Sequence, residues 1–256
     1  MKWIERLRVR HTLRHHPIPR ESWNRLMREA AIFRGLTSVE RAHLRTLTTL
    51  FLRRKAFSGA QGLQLTTDMR LAVAAQACLL ILKLGLDHYD GWLEIILYPG
   101  AFKVSRDVYE DGVVSDGGGH LAGESWQRGP VVLSWADAAA DLAGHQSGNN
   151  VVVHEFAHKL DSLDGSANGI PPVHRGMIRE HWTKAFTVAF DALRSQLERN
   201  QPHGIDAYAA TSPAEFFAVC TEAFFTAPAT LQDHFPAVYE QLVLFFRQDP
   251  RRRLSA

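Results

Sequence analysis

His154, Glu155 and His158 form a His-Glu-x-x-His segment inside Val151-Val-Val-His-Glu-Phe-Ala-His158. Residues four apart on an α-helix lie one turn apart, so both imidazoles leave the same face. Two rings so placed can converge on one zinc ion at nitrogen–metal distances of about 2.0–2.1 Å. Glu155 is displaced around the helix from that face. Its carboxylate can reach an attacking water without ligating the metal, which is the general-base position of a metallopeptidase. The residues before and between the histidines are apolar, so this helix is expected to be buried. Two buried histidines and a glutamate need partners, and a divalent cation supplies one.

A catalytic zinc takes a third protein ligand and keeps one position open. Candidates lie in the stretch Tyr208 to Phe225. Glu215 falls in the first turn of a helix starting near Pro213, and Glu222 follows seven residues later on nearly the same face. Both are embedded among Phe216, Phe217, Phe224 and Phe225, where an unpaired charge is costly. Spacing alone leaves the choice between Glu215 and Glu222 open.

The elements that must position these groups read as follows. Asn149-Asn150 open the histidine helix, which runs through Leu163, and Asp164-Gly165 and Asn168-Gly169 mark the loop after it. Ser212-Pro213 is an N-cap followed by proline at the first helical position, giving a helix from Pro213 to Thr226. A long helix covers about His174 to Asn200, and Pro228 and Pro236 open two shorter ones. Upstream, Glu21 to Phe33 places Trp23, Leu26, Met27, Ala30 and Phe33 on one helical face. Thr37-Ser-Val-Glu40 is a capping box for a helix to about Lys55, and Thr66 or Thr67 starts an apolar core helix to about Leu84, stopped by Gly85. Strands are expected at Trp92–Tyr98, Phe102–Tyr109 and Val131–Trp135, with a triglycine loop at Asp116–Gly123 that contains His120. Helices, then strands, then helices argue an α+β fold.

With 256 residues the chain is long enough to bury a large core, and its apolar and charged contents are those of a globular protein. A formal net charge of +2 gives a weak overall field, so direct nucleic-acid binding is not expected. The basic residues concentrate at the ends, in 1–20 and 251–256, and read as a flexible leader and a solvated tail. Residues 21–250 form a single domain, with 21–90 its helical amino-terminal part and 91–250 its catalytic part. Cys78 and Cys220 lie in apolar runs and read as buried free thiols of a reducing compartment. The start of the chain lacks the apolar stretch of a secretory signal, and Leu71–Leu86 is too short and broken to span a bilayer. A cytoplasmic protein with no membrane partner is the expectation.

The stretch Asn150 to Asp161 resembles the Mlc titration factor A family of zinc peptidases, as do Gly123-Glu-Ser-Trp-Gln-Arg-Gly-Pro-Val-Val-Leu-Ser-Trp135 and Tyr208 to Phe225. The resemblance extends from Pro17 to Pro250. The pairing of His-Glu-Phe-x-His with Tyr-x(6)-Glu-Phe-Phe-Ala is also similar to the catalytic domain of anthrax lethal factor. The resemblance implies a zincin-like domain with a small mixed sheet, one Zn2+ per chain, and a peptide or protein substrate. It implies His154 and His158 as ligands, Glu155 as catalytic base and Glu215 as third ligand. Tyr208 would stabilise the oxyanion, and Glu222 and Asp161 would orient ligand histidines from behind. His120 would reach the metal as an inhibitory fourth ligand. Val131–Trp135 would be the edge strand that receives an extended substrate. The family also implies aminopeptidase-like action on small substrates and binding to a transcriptional repressor similar to Mlc, which regulates sugar-uptake genes. Repressor sequestration as the main role, with an accessory peptidase site, is the alternative.

Overall fold

A computed structural model describes residues 3–100, 129–144 and 148–255. The expected strand at Phe102–Tyr109 and the loop bearing His120 lie outside these residues. Helix α1 (Trp3–His15) packs along α3 (Ser38–Arg54), with α2 (Arg20–Glu29) and a 3-10 turn at Ala31–Phe33 between them. Residues 3–15 contain neither glycine nor proline and are rich in good helix formers, so the expected flexible leader is helical instead. Pro17 and Pro19 then break the chain before α2. The Thr37 capping box is made as read: Glu40 N donates to Thr37 Oγ1 at 3.2 Å and Thr37 N to Glu40 Oε2 at 3.1 Å.

Strand β1 (Ala56–Gly59), helix α4 (Thr67–Leu80) and strand β2 (Glu94–Tyr98) form a β-α-β unit, and β3 (Val131–Ser134) adds beside β2. Ala56 pairs with Glu94 and Ile95 with Val131, both in parallel register. Every strand pairing among the described residues is therefore parallel, where a mixed sheet was expected. The α4 crossover enforces this for β1 and β2, because a helix that returns the chain across the sheet brings the next strand in along the same direction. β1 is too short to show alternation in the sequence. Trp135 does not continue β3. Ser134 Oγ accepts the amide of Asp137 at 3.3 Å and caps helix α5 (Trp135–Leu142).

Helix α4 is buried nearly all round, consistent with its alanine- and leucine-rich sequence. It ends at Leu80, four residues earlier than expected, and a turn leads to Gly85 at φ +102°. Its one buried amide, Gln76, donates to Ala72 O and accepts Asn150 Nδ2 at 2.7 Å. Asn150 caps helix α6 (Val151–Asp161) by accepting Val153 N at 2.9 Å. This cap offsets the poor helix propensity of three successive valines. Val152, Val153, Phe156, Ala157 and Leu160 of α6 are fully buried. Phe156 closes an aromatic cluster with Phe51, Tyr89 and Trp92, ring centroids 5.1–5.8 Å from its own.

The carboxyl-terminal half is helical: α7 (Arg179–Glu198), α8 (Pro213–Thr226), α9 (Pro228–His234), α10 (Pro236–Phe246) and α11 (Pro250–Ser255). α7 begins five residues later than read, after the turn at His174–Met177. α8 is the buried centre of this half, packed against α6, α7, α9 and α10. The carboxyl-terminal arginines are not a loose tail. Pro250 starts α11, Arg251 bonds Gln232 and Asp233, and Arg253 Nη2 donates to Ile32 O at 3.2 Å.

Asn150→Ala removes a helix cap, worth about 1 kcal/mol, and strands the buried Gln76 oxygen, at about 1–3 kcal/mol. Denaturant unfolding should show a loss of about 2–4 kcal/mol; wild-type stability would mean that this contact does not anchor α6.

Candidate metal centre

Helices α6 and α8 cross so that the two histidines of one meet the two glutamates of the other. The rings of His154 and His158 lie 4.8 Å apart and nearly perpendicular. Their Nε2 atoms are 3.1 Å apart. Glu215 Oε2 stands 3.0 Å from His154 Nε2 and 3.3 Å from His158 Nε2. Ligand atoms about 2.0–2.1 Å from a tetrahedral zinc are separated by about 3.3 Å. The three atoms thus form a triangle of the size that one zinc ion demands, and histidine with carboxylate is a donor set that zinc accepts. Among the described residues no other group of three histidine, cysteine or acidic side chains converges this way. Ser212 Oγ accepts Glu215 N at 3.2 Å, so the cap of α8 fixes the turn that carries this carboxylate.

Glu222 lies behind His154. Its Oε1 is 2.7 Å from His154 Nδ1 and its Oε2 accepts Asn150 N at 2.5 Å. With Nδ1 turned to Glu222, Nε2 of His154 faces the centre, where it would offer its lone pair to a cation. The two glutamates that spacing left equivalent are thereby separated: Glu215 faces both Nε2 atoms, and Glu222 holds a ring from behind. Asp161 makes no hydrogen bond to a histidine among the described residues. Its Oδ2 accepts Gly169 N at 2.8 Å, because the loop after α6 turns back beneath the helix end.

Burial alone would lower the pKa of His154, but hydrogen bonds and charge from Glu215 and Glu222 override it and push the value up to about 10. Burial would raise Glu215, yet the two histidines hold it well below the usual carboxylate range. Burial pushes Glu222 up despite its bond to His154. Cation binding at His154 Nε2 is therefore in competition with a proton.

Glu155 is half-buried, outside the ligand triangle, and close enough for its charge to act on His154 and Lys159. Lys159, on the next turn of α6, donates to Gly129 O at 2.8 Å and ties the helix to the start of β3. Tyr208 sits on a 3-10 turn (Ala207–Ala210) capped by Asp206, whose Oδ1 accepts Tyr208 N at 2.8 Å. Its ring centroid is 6.2 Å from that of His154, and the residue is 44% exposed. His120 lies outside the described residues. Sequence reasoning did not identify Gln76 and Asn150 as supports of the centre; the available signals were an isolated amide in an apolar run and an asparagine just before the histidine helix.

Glu222→Ala leaves the three candidate ligands in place but frees the His154 ring. Zinc affinity, measured by chelator competition, should fall by about 10–100-fold. Unchanged affinity would show that Glu222 does not support the centre.

Comparison with known proteins identifies the family. A family model described as glucose-regulated metallo-peptidase M90 matches residues 3–247. The protein slr2042 of Synechocystis sp. is 40% identical over 237 residues, covering 91% of this chain and 86% of its own. Mlc titration factor A of Yersinia pestis (strain Pestoides F) is 39% identical over 226 residues, covering 86% and 82% of the two chains. Its counterpart in Yersinia pseudotuberculosis serotype O:1b has the same identity and coverage. The match spans α1 to the end of α10, with the whole His154–His158–Glu215 cluster inside it, so this chain belongs to the M90 family of metallopeptidases.

Proposed function

We propose that this chain is a zinc-dependent peptidase that carries one Zn2+ per chain on His154, His158 and Glu215. The convergence of three ligand atoms at 3.0–3.3 Å carries the reading. Zinc in this position supplies Lewis acidity toward the scissile carbonyl and lowers the pKa of the attacking water. The remaining chemistry belongs to the chain. Glu155, beside the ligands but not among them, takes the proton of the attacking water and delivers it to the leaving amine. Tyr208 donates its phenol proton in a hydrogen bond to the oxyanion that develops on the carbonyl. Its position on a capped turn packed against α8 supports that role. Glu222 fixes the tautomer and angle of His154. The proposed substrates are small peptides with a free amino terminus, cleaved as by an aminopeptidase in the cytoplasm.

A second reading is favoured by the name of the Yersinia relatives, Mlc titration factor A. On that reading the chain also binds a repressor similar to Mlc, and its peptidase site is accessory or governed by that partner. Glu155→Gln separates the two, because a protein that no longer turns over substrate but still relieves repression acts by binding.

Two outcomes test the mechanism. Glu155→Gln should retain wild-type zinc and lose about 10²–10⁴-fold in kcat on a free-amine peptide. Loss of zinc, or full turnover, would remove Glu155 from the role of base. Tyr208→Phe should lower kcat about 10²-fold with little change in KM. A change confined to KM would make Tyr208 a binding residue instead.

A further inference from the structure

Asp161 is a buried carboxylate that the proposed hydrolysis leaves without a role. It ends α6 three residues past His158 and is fully buried. Its Oδ2 accepts Gly169 N at 2.8 Å, while Oδ1 takes no hydrogen bond among the described residues. Gly169 is held on two further sides. Its carbonyl accepts Trp182 Nε1 at 3.0 Å. Its Cα lies so close to α8 that a Cβ there would come within 2.4 Å of Pro213 O, and its φ of +78° lies in the left-handed region that favours glycine. Pro213 is the first residue of α8, and Glu215 follows in the same turn. Trp182 in addition packs on Phe217, ring centroids 5.8 Å apart.

One backbone residue thus joins the end of α6 to the start of α8. The opposite end of the helix pair is joined by Glu222, which reaches from α8 to Asn150 N at the start of α6. The distance from Glu215 Oε2 to the two Nε2 atoms depends on how these helices are offset, and the two carboxylate-to-amide bonds fix that offset at both ends. We infer that Asp161 is a positioning residue for the third metal ligand: it holds Gly169 against Pro213 and so sets Glu215 against His154 and His158. The inference rests on the proposed metal reading, and its test keeps the two separable.

Zinc affinity by chelator competition and the visible absorption of the cobalt-substituted protein are measured for wild type, Asp161→Ala and Asp161→Asn, with thermal unfolding of each metal-free protein as control. Asp161→Ala should weaken zinc by about 10–100-fold and shift the cobalt bands. Asp161→Asn retains an oxygen for Gly169 N–H and should stay close to wild type in both. In a Glu215→Ala background, Asp161→Ala should cause no further loss, because its effect passes through that ligand. Equal weakening in both backgrounds, or wild-type affinity and spectrum in Asp161→Ala, would overturn the inference while leaving the metal reading intact. A wild-type protein that takes up neither zinc nor cobalt would overturn both. Should Asp161→Ala fail to fold, Gly169→Ala carries the test: it displaces Pro213 and should weaken zinc similarly, and wild-type affinity would overturn the inference.

Discussion

The centre depends on one buried crossing, at which two imidazoles of α6 meet two carboxylates of α8. Burying four ionisable groups in an interface otherwise lined by phenylalanine, valine and alanine is unfavourable unless they satisfy one another. Here they do so in a fixed order. Glu222 bonds the Nδ1 side of His154, which turns Nε2 toward Glu215, and His158 completes the triangle. Reversing the roles of the two glutamates would leave His154 without the support that sets its tautomer. The raised pKa of His154 and the lowered one of Glu215 have one cause, since each group stabilises the charged form of the other.

The rest of the fold keeps that crossing in register. Gln76 on α4 and Asn150 before α6 bond each other, so the start of the histidine helix is anchored to the most deeply buried helix of the amino-terminal half. Phe156, between Glu155 and the second histidine in sequence, is locked among Phe51, Tyr89 and Trp92, which prevents α6 from rotating. Lys159 ties the same helix to the strand beside it through Gly129 O. The Trp182, Phe186, Phe216 and Phe217 rings support α8 from the other side. These supports hold the three donor atoms at the spacing of a tetrahedral site.

What could be read from the sequence follows the range of each interaction. The helix spacing of His154 and His158, the cap at Ser212-Pro213 and the capping box at Thr37 are local, and the structure contains each where the sequence places it. The choice between Glu215 and Glu222 was not legible from spacing, because it depends on which carboxylate the crossing brings to Nε2. The same holds for Asp161, whose partner Gly169 lies across a turn, and for Asn150 and Gln76, which meet across 74 positions of chain. β1 was missed because four residues carry too little pattern, and without it the parallel β-α-β unit could not be recognised. Trp135 has the apolar character of a strand residue, yet Ser134 and Asp137 form a helix cap that outweighs it.

The proposed chemistry requires His154, His158 and Glu215 to hold one divalent cation. X-ray absorption at the zinc edge of the purified protein tests this most directly. It should show about one zinc per chain with two imidazole nitrogens and carboxylate or water oxygen in the inner shell at about 2.0–2.2 Å. A zinc shell lacking imidazole, or one unaltered when His154 and His158 are both replaced by alanine, would contradict it.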